Sequence, residues 1–113
     1  MVAKKISESI KYYPGEGGVT APKGYTANGI SCGLKASGRK DLCIIYTKDE
    51  AKAAAVFTCN VVKAAPLKVS KRNVNNGIHA IFCNSGNANA CTGKQGMDDA
   101  RLTIKLLAEE FEI

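Results

Sequence analysis

Between Asn84 and Gly93 the chain runs Asn-Ser-Gly-Asn-Ala-Asn-Ala-Cys-Thr-Gly, which offers three side-chain amides and two hydroxyls within ten residues. None of these groups is a strong general base, so the segment cannot by itself drive acyl or phosphoryl transfer. Short amides and hydroxyls gathered at a helix entrance can hold a carboxylate or stabilise a developing oxyanion. The residues placed to hold substrate, or to steady the groups that do, are Asn84, Ser85, Gly86, Asn87, Asn89 and Thr92. Asn-rich turns also satisfy their own backbone, so a purely architectural role for the same residues stays open. Gly86 and Gly93 permit backbone conformations closed to other residues. Gly93-Lys94 imitates the end of a phosphate-binding loop, but the Gly-Lys-Ser/Thr ending is missing.

Other reactive side chains are scattered. Cys32, Cys43, Cys59, Cys83 and Cys91 are an odd number at wide spacing with no C-x-x-C pair, which signals neither a disulfide framework nor a zinc site. Cys43, Cys59 and Cys83 lie in apolar stretches and are expected to be small buried hydrophobes rather than nucleophiles. His79, the single histidine, stands in a strand-like segment and is expected to hold a backbone or side-chain partner there. Sixteen Lys and Arg against ten Asp and Glu give a net charge of +6, compatible with anionic metabolites or nucleic acid. The basic residues are dispersed and lack interleaved aromatics, which argues for a solvated surface and against nucleic-acid binding. Lys23 and Lys63 are cations that could attract substrate carboxylates.

The elements that must position the Asn-rich segment follow from periodicity. Ile78-His79-Ala80-Ile81-Phe82-Cys83 reads as a buried strand, and Met97, Ala100, Ile104, Leu107 and Phe111 recur at steps of three and four. The segment therefore joins a strand to an amphipathic helix expected over about 96–112, with Asp98 and Asp99 in its first turn, where the macrodipole favours negative charge. Upstream, residues 1–29 hold Pro14-Gly15-Glu16-Gly17-Gly18 and Ala21-Pro22-Lys23-Gly24 and read as an irregular arm. Ile30–Lys35, Leu42–Thr47 and Ala53–Thr58 are short β-friendly runs expected to form an antiparallel meander. Leu42-Cys43-Ile44-Ile45-Tyr46 lacks polar alternation, which marks it as a central strand. Within 63–76, Pro66 suits a first helical turn and Asn75-Asn76-Gly77 a stop. An α+β layered sandwich is expected, an antiparallel-rich sheet with helices packed on it. Residues 30–113 then form the N-terminal part of a single α/β domain completed by missing sequence or another chain, because the last helix has no following strand to cover its apolar face.

Three blocks carry a resemblance. Thr20-Ala21-Pro22-Lys23-Gly24-Tyr25, then Ala55-Val56-Phe57-Thr58-Cys59-Asn60 with Lys63-Ala64-Ala65-Pro66, then Asn84 through Gly96 resemble successive signatures of the glutamate N-acetyltransferase/ornithine acetyltransferase family of arginine biosynthesis. The similarity extends from Val19 onward, and the third block is the most specific. It implies a bifunctional, self-cleaving acyltransferase whose precursor cuts itself before a threonine into an α and a β chain, assembled as α2β2. The freed threonine takes acetyl from N-acetylornithine and passes it to glutamate through an acetyl-enzyme, and some members also accept acetyl-CoA. Neither a cofactor nor a metal is implied. The nucleophilic threonine and an oxyanion-forming Thr-Gly in a later Ser-Thr-Gly-Val-Ile-Gly-like segment are expected beyond Ile113. No catalytic residue is assigned in this chain, Thr92-Gly93 included, and the chain alone is expected to be inactive.

Two other readings remain beside it. One is a segment of a related self-processing, aminopeptidase-like hydrolase with the same sandwich. The other is a non-catalytic basic binding module. The first ten residues hold Lys4, Lys5, Ser7, Glu8 and Ser9 and no apolar signal region, and no run approaches the roughly eighteen apolar residues of a membrane span. A cytoplasmic protein without membrane partners is expected.

Overall fold

The apolar run Leu42–Tyr46 forms the middle of a sheet. In this computed structural model, which describes residues 16–113, Leu42–Ala51 is strand β2, flanked by β1 (Tyr25–Ile30) and β3 (Ile78–Asn84) in the order β1-β2-β3. Both pairings are antiparallel, with Ile44 opposite Asn28 on one side and Phe82 on the other. The expected central position of 42–46 is therefore observed. The architecture is α+β: helix α1 (Ala65–Asn73) links β2 to β3, and helix α2 (Gly93–Phe111) follows β3. The first fifteen residues of the expected arm lie outside the described residues.

Two strands sit elsewhere than expected. β1 is formed by Tyr25–Ile30, from the end of the stretch read as an arm, while Ile30–Lys35 opens a loop that returns the chain to β2. Among the described residues, the arm's turn signals form a short 3-10 turn at Gly18–Thr20 and a turn at Lys23–Gly24 that leads into β1. Thr26 and Asn28 pair with apolar residues of β2, so backbone pairing outweighs β1's weak intrinsic preference. Ala53–Thr58 is no strand here: it has no regular secondary structure, and Val56 is 99% exposed. Strand propensity is present, but no neighbouring backbone among the described residues completes the ladder.

The helices are as the punctuation suggests, with shifted ends. Pro66 occupies the first turn of α1, and Lys71 and Arg72 lie in its last turn. α2 begins at Gly93, about one turn earlier than the apolar spacing indicates, so Asp98 and Asp99 fall beyond the first turn. There they pair along the helix instead, Asp98 with Lys94 and Asp99 with Gln95.

The sheet has two unlike faces, because residues directly opposite on adjacent strands point the same way. Leu42, Ile44 and Tyr46 share one face with Phe82, and Tyr46 stacks on Phe111 of α2 at a centroid distance of 4.5 Å. Cys43 and Ile45 share the other with Ile81 and Cys83, and Ile81 is 56% exposed. The buried apolar residues among those described are Ala65 and Val69, both on α1, which packs against α2.

Candidate functional site

The Asn-rich segment is held by three neighbouring parts of the chain. Ser85 N–H donates to the Asp41 carbonyl at 2.8 Å, tying the exit of β3 to the start of β2. Ala65 N–H, at the start of α1, donates to the Asn89 carbonyl at 3.3 Å, which satisfies a helix-entrance donor that has no intrahelical partner. Gly86 adopts φ +101° against the 31–40 loop, where a Cβ would stand 2.7 Å from Lys35 Cγ and 3.2 Å from the Leu34 carbonyl carbon. Only a residue without a side chain fits both that angle and that approach.

Asp41 organises this arrangement, although it is not among the residues expected to form the site. The residue is 3% exposed, and its carboxylate accepts from Cys32 N–H at 2.8 Å and from Lys35 N–H at 2.9 Å. Those two donors favour the charged form and hold the carboxyl at about 2. Asp41 N–H donates to the Ile30 carbonyl at 3.0 Å, so one residue closes the β1–β2 loop and supports Ser85. The only available signal was an aspartate between a Gly-rich turn and a strand, where short carboxylates often cap backbone N–H groups. The Cys32 thiol is pushed up, chiefly by its hydrogen bond to the Asp41 carboxylate, which disfavours a nucleophilic thiolate there.

The expected site residues divide into two groups. Asn84, Asn87 and Asn89 join in one chain of amides: Asn87 Nδ2 donates to Asn89 Oδ1 at 3.3 Å, and Asn89 Nδ2 to Asn84 Oδ1 at 2.7 Å. These amides close the loop on itself, while Ser85 and Gly86 hold it against residues 34–41. Thr92 stands apart from them. With Cys91 and Gly93 it lines a cavity of ≈ 290 Å³ whose opposite wall includes Lys63, Ala65 and Lys68. Cys91 and Gly93 both have left-handed backbone, at φ 57° and 59°, which swings the chain into the helix entrance. Thr92 is the N-cap residue of α2 but makes no side-chain capping bond. The entrance of α2 thus adjoins a cavity whose lining also includes two lysines, a setting suited to a carboxylate or an oxyanion. Lys63 belongs to this cavity and Lys23 does not.

Other reactive residues have ordinary surroundings. His79 Nδ1 lies 3.3 Å from the Thr47 carbonyl, which can only accept, so this nitrogen carries the proton. That is the backbone partner expected of a strand histidine. The cysteines correct the sequence reading: Cys43 is half-buried, but Cys59 and Cys83 are exposed, because the 53–58 run pairs with nothing and the second sheet face is open. All five are free thiols, and among the described residues no three His, Cys, Asp or Glu cluster as a metal site would need.

Residues 26–113 match the model of the ArgJ family. The chain belongs to the ArgJ family. An ArgJ relative from Synechococcus, named an arginine biosynthesis bifunctional protein, is 48% identical over 99 residues, covering 86% of this chain and 24% of the relative. The chain thus spans about a quarter of the length of the curated ArgJ proteins it matches. A solved ArgJ structure from Bacillus halodurans superposes with a TM-score of 0.80 at 48% identity, over 86% of this chain and 51% of that one. A second, described as ornithine acetyltransferase complexed with ornithine from Mycobacterium tuberculosis, gives a TM-score of 0.69 at 45% identity. It covers 75% of this chain and 45% of that one. The ArgJ match takes in β1–β3, both helices and the cavity between them.

Proposed function

We propose that this chain is part of an acyltransferase of arginine biosynthesis that moves acetyl from N-acetylornithine to glutamate through an acetyl-threonine intermediate. The observation that carries this is the ArgJ match over residues 26–113, supported by a solved relative described as an ornithine acetyltransferase holding ornithine. The described residues supply a pocket wall, and the acyl-accepting threonine comes from polypeptide outside these 113 residues. Asn84, Ser85, Gly86, Asn87 and Asn89 steady that wall, and Thr92 faces the cavity.

The complete protein is proposed to be a self-cleaving precursor giving α and β chains in an α2β2 assembly in the cytoplasm, where free thiols persist. The domain expected over 30–113 takes in β1 as well, so residues 25–113 belong to a single α/β domain that the remaining polypeptide completes. The near-absence of deeply buried side chains and the exposure of Ile81, Leu102 and Leu106 support this. Among the described residues no helix is long and apolar enough to cross a membrane.

A second reading concerns the oxyanion. The resemblance implies a stabilising Thr-Gly in a later segment, but Thr92–Gly93 lies at a helix entrance, on a cavity, with no side-chain capping bond. That position favours the pair as an oxyanion-holding element within this chain.

Incubating the complete protein with N-acetylornithine and glutamate should yield N-acetylglutamate. Formation of free acetate and ornithine without N-acetylglutamate would instead establish a hydrolase. Asn84→Ala and Asn87→Ala should lower thermal stability and weaken transfer, and Thr92→Ala should cut kcat by about 10²-fold if it helps hold the oxyanion. Unchanged kinetics in all three would leave the loop a scaffold only.

A further inference from the structure

Two glycines stand in the first turn of α2 for different physical reasons. Gly93 has φ +59°, and nothing lies within 4 Å of where its Cβ would be. It is there for its backbone angle. Gly96 has ordinary helical backbone, where glycine weakens a helix relative to alanine and brings no conformational benefit. What it provides is space. A Cβ at Gly96 would fall on Thr92 Oγ1 and Cβ, both closer than the 3.0 Å that real Cβ atoms keep.

The crowding cannot be relieved by a rotamer change, because the Thr92 Cβ itself is in the way. Thr92 lies over the helix with φ −95° and ψ 7°, between the left-handed Cys91 and Gly93, and its carbonyl accepts from Gly96 N–H at 3.1 Å. Thr92 and Gly96 are thus joined through the backbone and in contact through the missing side chain. Thr92 lines the cavity and does not bond the helix N–H groups it precedes.

We propose that Gly96 is a positioning residue: its lack of a Cβ lets the Thr92 side chain lie across the α2 entrance, and so fixes Thr92 where it lines the cavity. This rests on the reading of that cavity as part of an acetyl-transfer site. Gly96 touches no substrate and acts only through Thr92.

The test uses the complete protein with Gly96→Ala, Thr92→Gly, Thr92→Ser and the double Thr92→Gly/Gly96→Ala, measuring Tm together with kcat and KM for acetyl transfer to glutamate. Gly96→Ala should lower Tm despite alanine's better helix propensity, and should lower kcat/KM by a factor on the order of 10², mainly through kcat, as a displaced group near the reacting atoms does. Thr92→Ser keeps the hydroxyl and should keep kcat within a few-fold. In the Thr92→Gly background the same Gly96→Ala change should raise Tm and cost no further activity, since the obstructed side chain is gone. An equal fall in Tm in both backgrounds would overturn the proposed packing. A wild-type kcat in Gly96→Ala would overturn the positioning role. A wild-type kcat in Thr92→Gly would instead sink the site reading itself, and the Tm coupling would show separately whether the two residues pack as described.

Discussion

Replacing Gly86 with alanine should destabilise the protein by about 3 kcal/mol, the sum of a backbone and a packing contribution. At φ +101° an L side chain is strained, at a cost of about 1–2 kcal/mol. The new Cβ would also meet Lys35 Cγ at 2.7 Å and the Leu34 carbonyl carbon and oxygen at 3.2 Å. The Lys35 stem can swing aside, but the Leu34 carbonyl cannot move without disturbing the bond from Lys35 N–H to Asp41. Pressing a methyl against fixed neighbours costs about 1–3 kcal/mol. Two companion substitutions isolate the terms. Gly93→Ala carries the strained angle with open space around it and should cost about 1 kcal/mol. Gly77→Ala has no left-handed angle and meets only the exposed Glu50 side chain, which can rotate away, so its change should stay within about 0.5 kcal/mol. Urea denaturation of the three variants in the complete protein measures the series. A Gly86→Ala loss no larger than that of Gly93→Ala would refute the close approach of residues 34–35 to the Asn-rich loop.

Acid should reveal Asp41. Its carboxyl is lowered in the folded state, so its stabilising contribution is present above the ordinary value of 3.8 and is lost as pH falls towards about 2. Asp41→Asn should flatten Tm against pH across that window and lower Tm at neutral pH, both read from thermal melts. Phe111→Ala removes a half-buried ring stacked on Tyr46 and should cost about 2 kcal/mol by chemical denaturation, below the range for a fully buried ring. Lys94→Ala breaks an i,i+4 pair whose lysine is 89% exposed and should leave Tm unchanged. The isolated 113-residue chain should show no acetyl turnover, because the proposed acyl-accepting threonine lies outside it; turnover by the purified chain alone would contradict the proposed division of labour.

Much of the architecture could be read from local pattern. The unbroken apolar run at 42–46 marked the middle strand because it called for cover on both faces; the strand is central, although the face of Cys43 and Ile45 is open among the described residues. Pro66 and the Asn-Asn-Gly stop bracketed α1, and the three- and four-residue steps from Met97 to Phe111 traced α2. These features rest on periodicity and backbone chemistry within a few residues, so they survive without knowledge of the fold. The concentration of small polar residues at 84–93 likewise located the candidate site and, through its resemblance, the family.

Only the tertiary structure decided what depends on distant neighbours. Ala53–Thr58 has strand-forming residues, yet a strand exists only where another backbone lies beside it. Tyr25–Ile30 is less apolar and becomes a strand because β2 pairs with it. The same holds for the site. Asn84, Asn87 and Asn89 look alike in sequence, and their three-dimensional closure directs their amides to one another while Thr92 turns to the cavity. Asp41 lies more than forty residues before that loop, and its role emerges only when Cys32 and Lys35 are brought to its carboxylate and Ser85 to its backbone carbonyl. Hydrophobic period and turn chemistry are local properties, whereas strand pairing, burial of charge and the room that Gly86 and Gly96 leave are set by residues that only folding makes adjacent.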